Sequence, residues 1–232
     1  MKENVIAANQ PDVKCINQVN LTGSVVHKYR PRPDVIILTV AVSGKDIHAA
    51  DYPNVVFYGE EAVENIDKNI IVEDKNFPRV TIEGIIQTSR KEQENGAPKF
   101  YQNVVGTKIF TSQTQMEKLS GIKGMGTRKA ESQNDVCLMG QVTNIYPITR
   151  EGADRPIGVI VTMRTTNGGR TNYPRVTCFN KHVEVAMNLQ RGDVVCATGF
   201  METTNREGAD GKRVRFESVI ATEIQKADAI EE

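Results

Sequence analysis

Two stretches of the chain alternate between apolar and exposed-type positions with the period of a strand. In Asn172–Phe179, Val176 and Cys178 fall on one face, and Tyr173, Arg175, Thr177 and Phe179 on the other. In Asp51–Tyr58, Val55 and Phe57 form the apolar face, and Tyr52 and Tyr58 point away. Each stretch leads into a short amphipathic segment that predicts a helix, from Gly59 to Ile66 in the first and from about Lys181 to Leu189 in the second.

The flanking pattern predicts strands in the same order around both. In the first half, Leu21, Gly23, Val25 and Val26 open a strand that ends near the proline-punctuated Tyr29–Pro33. Val35–Val42 is a β-branched run and predicts a second strand. Tyr52–Tyr58 is the third, Val80–Ile86 the fourth and Lys99–Phe110 the fifth, with a charged hairpin loop over Ser89–Pro98. In the second half, Cys137–Ile145 matches the first strand, with Gly140 against Gly23 and Tyr146 against Tyr29. Gly158–Thr165 matches the second, and Asn167-Gly168-Gly169 is a tight hairpin signal. Asp193–Thr203 matches the fourth, with Gly199 against Gly84, and Lys212–Ile224 the fifth, with Ile224 against Ile109.

One unit therefore occurs twice, and its order is strand-strand-strand-helix-strand-strand. That is the layout of the OB-fold, a small Greek-key barrel that binds oligonucleotides across its strands 2–3 and hairpin loops. The expected class is all-β with short helices: two tandem five-stranded OB-fold barrels over 20–110 and 135–226. A flexible segment over 1–19, a glycine-rich basic linker over 111–134 and a short acidic tail over 227–232 complete the expected organisation.

Composition narrows the chemistry. Lys plus Arg is 29 and Asp plus Glu is 29, so the formal net charge is zero. Global electrostatic capture of a polyanion is excluded, but a local basic stripe is not. The basic residues on the proposed binding elements are Arg164 and Arg170 around the second-strand hairpin, Arg175 and Lys181 beside the rings, and Arg206, Lys212, Arg213 and Arg215 around the last hairpin. Such residues also serve simply to protect exposed strand edges. The four cysteines have no CxxC spacing, and Cys137, Cys178 and Cys196 lie in strand-like runs, which reads as free thiols in a reducing, cytoplasmic setting. No apolar run is long enough for a membrane span. Gly121–Thr127 imitates a phosphate loop but has Thr127 where that loop needs lysine. No catalytic constellation is present: the three histidines are scattered and no HExxH or nucleophile elbow occurs. No enzyme activity, metal or cofactor is expected.

Tyr173-Pro174-Arg175-Val176-Thr177-Cys178-Phe179-Asn180-Lys181, then Leu189–Val195 with Gly199, then Gly211–Glu217, carry a resemblance to bacterial single-stranded DNA-binding proteins. The resemblance implies that Tyr173 and Phe179 stack on bases, and by repeat alignment that Tyr52 and Tyr58 do the same. The family usually carries tryptophan on the second strand; this chain has none. It also often ends in an acidic tail closed by proline and phenylalanine, which recruits replication and repair enzymes; this chain ends in Glu232. The implied partners are single-stranded DNA and replication or recombination proteins, with a monomer or homodimer as the assembly. Two other readings stand beside it. A protein-interaction scaffold is favoured by Asn54 and Glu60, which replace Arg175 and Lys181 in the first repeat. A single-stranded RNA-binding module would use the same rings.

Overall fold

The structure, a computed structural model, describes residues 15–44, 50–73, 77–92, 99–111, 132–207 and 213–227. Its elements in chain order are β1 (Ile16–Arg32), β2 (Val35–Ser43), β3 (Ala50–Asp51), β4 (Asn54–Tyr58), α1 (Glu60–Asn69), β5 (Arg79–Lys91) and β6 (Lys99–Thr111), then β7 (Gln133–Ile148), β8 (Gly158–Asn167), β9 (Arg170–Asn172), β10 (Arg175–Phe179), α2 (His182–Met187), β11 (Val194–Glu207) and β12 (Arg213–Lys226). The described residues are all-β with two short helices, as the periodicity predicts.

Each half closes on itself. β1 pairs antiparallel with β2 and with β5, β2 with β4, and β5 with β6. A short parallel contact between β4 and β6, Val55 against Val104 and Val56 against Val105, closes the five-stranded ring. The second half repeats this with β7, β8, β10, β12 and β11, closed by Val176 against Val219 and Thr177 against Ile220. Closure removes the sheet edges that would otherwise seek a partner.

Inward-facing positions fill each ring with apolar, mostly β-branched side chains, and β2 is buried on nearly every residue. Val25, Leu38, Val55, Ile82 and Val104 are fully buried in the first, and Val161, Met163, Val176, Cys178 and Val195 in the second. Each helix covers one end: α1 buries Val63 and Ile66, and α2 buries Ala186. The first strand of each ring passes so close to the second that only glycine fits at the crossing. A Cβ on Gly23 would lie 2.2 Å from the Ala41 carbonyl oxygen, and one on Gly140 would lie 2.3 Å from that of Arg164.

The two rings are joined through β1 and β7, which pair antiparallel from Ile16↔Met139 to Thr22↔Gln133. The register is symmetric about Val19↔Val136, residues that the repeat equates, so the rings stand about a pseudo-twofold axis. This pairing explains why β1 begins at Ile16 rather than at the expected Leu21: Ile16–Asn20 are strand because β7 supplies their partner. Amides flank the axis in the same way on both sides, Asn17 buried and Asn134 half-buried. Asn17 holds both the N–H and the C=O of Ile86 at 2.8 Å, and Asn134 holds those of Met201 at 2.9 Å.

Several expected features lie outside the described residues, in whole or in part: 1–14 of the N-terminal segment, 112–131 of the linker, and 228–232 of the tail. Of the flanking residues, Thr111 ends β6 and Gln133 and Asn134 open β7. The expected third strand is interrupted in both halves. Tyr52-Pro53 and Tyr173-Pro174 separate β3 from β4 and β9 from β10, because proline has no N–H to give a ladder. Of the cysteines, Cys178 is buried, whereas Cys137 and Cys196 are half-buried.

Candidate nucleic-acid interface

The interrupted strand sets the position of the rings. Where Pro174 breaks the ladder, the Tyr173 N–H donates instead across to the other ring, to Thr88 Oγ1 at 2.8 Å. The Tyr52 N–H does the same to Thr203 Oγ1 at 3.0 Å. Each tyrosine backbone is thus pinned at a seam between the barrels. Tyr173 is 47% exposed and Tyr58 48%, while Tyr52 and Phe179 are half-buried. Phe179 lies over Gly158, where a Cβ would come within 2.8 Å of its ring.

Arg175 opens β10 and is exposed. Its guanidinium stacks on Phe100 of the first barrel at 4.5 Å from the ring centroid, and Arg90 approaches the same ring at 5.9 Å. Lys181 is exposed at the start of α2 and makes no ion pair among the described residues. Arg164 on β8 and Arg170 on β9 are exposed. Arg215 on β12 is committed to Glu217, 3.6 Å away. Arg206 and Arg213 lie where β11 and β12 approach their hairpin. Lys212 lies outside the described residues.

Arg175 and Phe179 therefore share the outward face of β10, Tyr173 stands just before it at one seam, and Tyr52 lies at the opposite seam. Exposed rings that the strand pattern alone did not assign to binding are, among the described residues, Tyr29, Phe77, Phe100, Tyr101, Phe110, Tyr146 and Phe216. Part of this signal is present in the repeat. The alignment that matches Gly84 with Gly199 also places Tyr101 against Phe216, and Tyr29 against Tyr146 was already matched. Phe100 has no such signal, because its partner Arg175 comes from the other barrel.

Electrostatics separate the two seams. Burial pushes the Glu217 carboxyl above its ordinary range, against the opposing pull of the Asn54 N–H and the Arg215 charge. Asp193 at the start of β11 is held low by Lys226, at 2.7 Å, and by the Gln190 N–H. Among the described residues no group of three or more His, Cys, Asp or Glu is arranged to hold a metal ion. No helix there is long and apolar enough to cross a membrane. Among the described residues the geometry offers aromatic platforms with cations beside them.

No protein-family model matches the chain, and no curated protein does. Among solved structures, it is similar to the wild-type single-stranded DNA binding protein from Thermus aquaticus, at 18% identity and a TM-score of 0.59, covering 92% of this chain and 94% of that one. A deletion mutant of the same Thermus aquaticus protein gives 18% identity and a TM-score of 0.59, over 94% of this chain and 98% of that one. At that identity the likeness establishes architecture, and the architecture of this chain is the closed five-stranded OB barrel.

Proposed function

We propose that this chain is a single-stranded DNA-binding protein carrying two OB-folds, over 20–110 and 135–226, in one polypeptide. It coats single-stranded DNA during replication, recombination or repair, in the cytoplasm at the nucleoid, as a monomer or homodimer. Its protein partners are replication or recombination enzymes, and it performs no catalysis. The observation that carries this reading is the set on the second barrel: Tyr173 at 47% exposure, the half-buried Phe179 over Gly158, and the exposed Arg175 and Lys181 alongside. Every base has a π-face, so rings of this kind bind without regard to sequence. Tyr52 and Tyr58 offer the first barrel a weaker copy. Arg164, Arg170, Arg206, Lys212, Arg213 and Arg215 supply the surrounding positive charge, with Arg215 restrained by Glu217.

The test is a titration of fluorescently labelled oligo-dT, with duplex DNA and RNA of equal length as competitors. Stacking a base on one ring is worth about 1–3 kcal/mol, so Tyr173→Ala and Phe179→Ala should each weaken binding about five-fold or more. Both rings lie off the buried Val176–Cys178 face, so folding should survive. Arg175→Ala should flatten the slope of log affinity against log salt by about 0.7, the single-strand value per phosphate. If the ring variants bind normally but melt early or change oligomeric state, the rings are packing residues and the proposal fails.

A further inference from the structure

The two barrels meet at two seams that the pseudo-twofold axis makes equivalent, and the same hydrogen-bond scaffold builds both. At one seam the Asn172 Oδ1 accepts the Thr88 N–H, Tyr173 donates to Thr88 Oγ1, and the Arg175 N–H reaches Gln102 Oε1 at 2.8 Å. At the other, Asp51 Oδ1 accepts the Thr203 N–H, Tyr52 donates to Thr203 Oγ1, and the Asn54 N–H reaches Glu217 Oε1 at 3.0 Å. The scaffold is shared, but two amides at the first seam are two carboxylates at the second.

That exchange decides what each seam can attract. Gln102 is neutral and also donates to the Arg175 carbonyl at 3.4 Å, so it ties the backbone without using any charge. Arg175 has no carboxylate partner among the described residues; its guanidinium rests on Phe100, which is 50% exposed. A guanidinium resting over a ring face still has N–H groups to offer phosphate oxygens. Arg90 stands nearby, sharing its charge with Glu92 at 2.8 Å, but that pair is well solvated and weak. At the second seam the position of Arg175 is Asn54, and the position of Phe100 is Arg215. Arg215 pairs with Glu217, which is nearly buried, and Asp51 adds a further acid. The described side chains there leave no cation over.

We infer that a bound single strand passes between the barrels over the seam of Tyr173, Arg175 and Phe100, and not over the pseudo-equivalent seam of Tyr52, Asn54 and Arg215. The inference rests on the single-strand-binding reading above. Phe100 and Arg175 then form one composite element contributed by both barrels, with a ring for a base and a pre-oriented fork for the adjoining phosphate.

The experiment compares two labelled oligo-dT lengths on the full chain. One is of roughly 8 nucleotides, within the reach of one barrel, and one of roughly 30, long enough to cross. Phe100→Ala should weaken the long oligonucleotide about five-fold or more and change the short one by less than about two-fold. Phe100 is exposed, so circular dichroism should show an unchanged melt. At the second seam, Glu217→Gln copies the amide that already serves at the first, and it should strengthen long-oligonucleotide binding. If the wild type binds neither length, the single-strand-binding reading itself falls. If the wild type binds and Tyr173→Ala weakens it, yet Phe100→Ala leaves the long oligonucleotide unchanged or weakens both lengths equally, only the crossing is overturned. Weaker long-oligonucleotide binding by Glu217→Gln would overturn the exclusion of the second seam.

Discussion

Asn17→Ala should be among the most destabilising single substitutions in the chain, although it removes a polar residue. The ladder between β1 and β5 ends at Val19↔Gly84. Beyond it, the N–H and C=O of Ile86 face β1 with no backbone partner, and the Asn17 amide satisfies both at 2.8 Å. Its Nδ2 also reaches Thr165 Oγ1 of the second barrel at 3.3 Å. Asn17 is 6% exposed and Ile86 fully buried, so water has no ready path to replace the amide. Leaving a buried backbone group unpaired costs about 1–3 kcal/mol, and two such groups give roughly 2–6 kcal/mol. Taking about 3 kcal/mol, a chain of this size should lose on the order of 6–12 °C in melting temperature. Urea unfolding followed by circular dichroism measures the loss directly. Gln18→Ala is the neighbouring control: its side chain is exposed and should shift stability by no more than about 0.5 kcal/mol. A loss below about 1 kcal/mol for Asn17→Ala would mean that Ile86 finds another partner and that the accounting is wrong.

Three further outcomes can be checked. Because burial raises the Glu217 carboxyl, the stability tied to that group is fully present when it is protonated and is lost as pH rises through its elevated folded value. Glu217→Gln should therefore be the more stable form at neutral pH in urea unfolding, with the advantage shrinking as pH falls into the ordinary carboxylate range. Cys178 is fully buried and its thiol is pushed up to about 11, so iodoacetamide should label it only on unfolding, while the half-buried Cys137 and Cys196 react first by peptide mass mapping. Asp67, held low chiefly by its hydrogen bond from Lys28 at 2.6 Å, ties α1 to β1. Asp67→Asn should cost less than about 1 kcal/mol at neutral pH, since the pair is partly exposed, and nothing once the pH falls through the lowered folded value.

The strands and the repeat were legible because they rest on local alternation. Val176 and Cys178 against Tyr173 and Phe179 fix the facing of β10 without any knowledge of its neighbours, and Gly23 against Gly140 marks where two strands nearly touch. What was not legible depends on partners distant in the chain. Ile16–Asn20 carry no strand signal of their own strength, and they become strand because β7 lies beside them. The outward facing of Arg175 and Phe179, on which the proposed function rests, was legible for the same local reason. Phe100 was not, because its neighbour Arg175 comes from the other barrel. Nothing local in the sequence marks Glu217 for burial; only the fold shows it nearly buried, with the Asn54 N–H on its carboxylate.

The pairing of β1 with β7 about Val19↔Val136 has a consequence for direction. A dimer of identical barrels presents the same surface after a half-turn, and any residue it carries appears twice. A nucleic-acid strand is not symmetric under that half-turn, because its 5′ and 3′ ends exchange. Identical barrels would therefore accept it equally in either sense. Here both barrels belong to one polypeptide, so Asn172 and Gln102 can differ from Asp51 and Glu217 without a matching change elsewhere. Under the proposed function, the two senses of a bound strand are no longer equivalent on this surface, and one tethered chain can hold its ligand with a defined polarity.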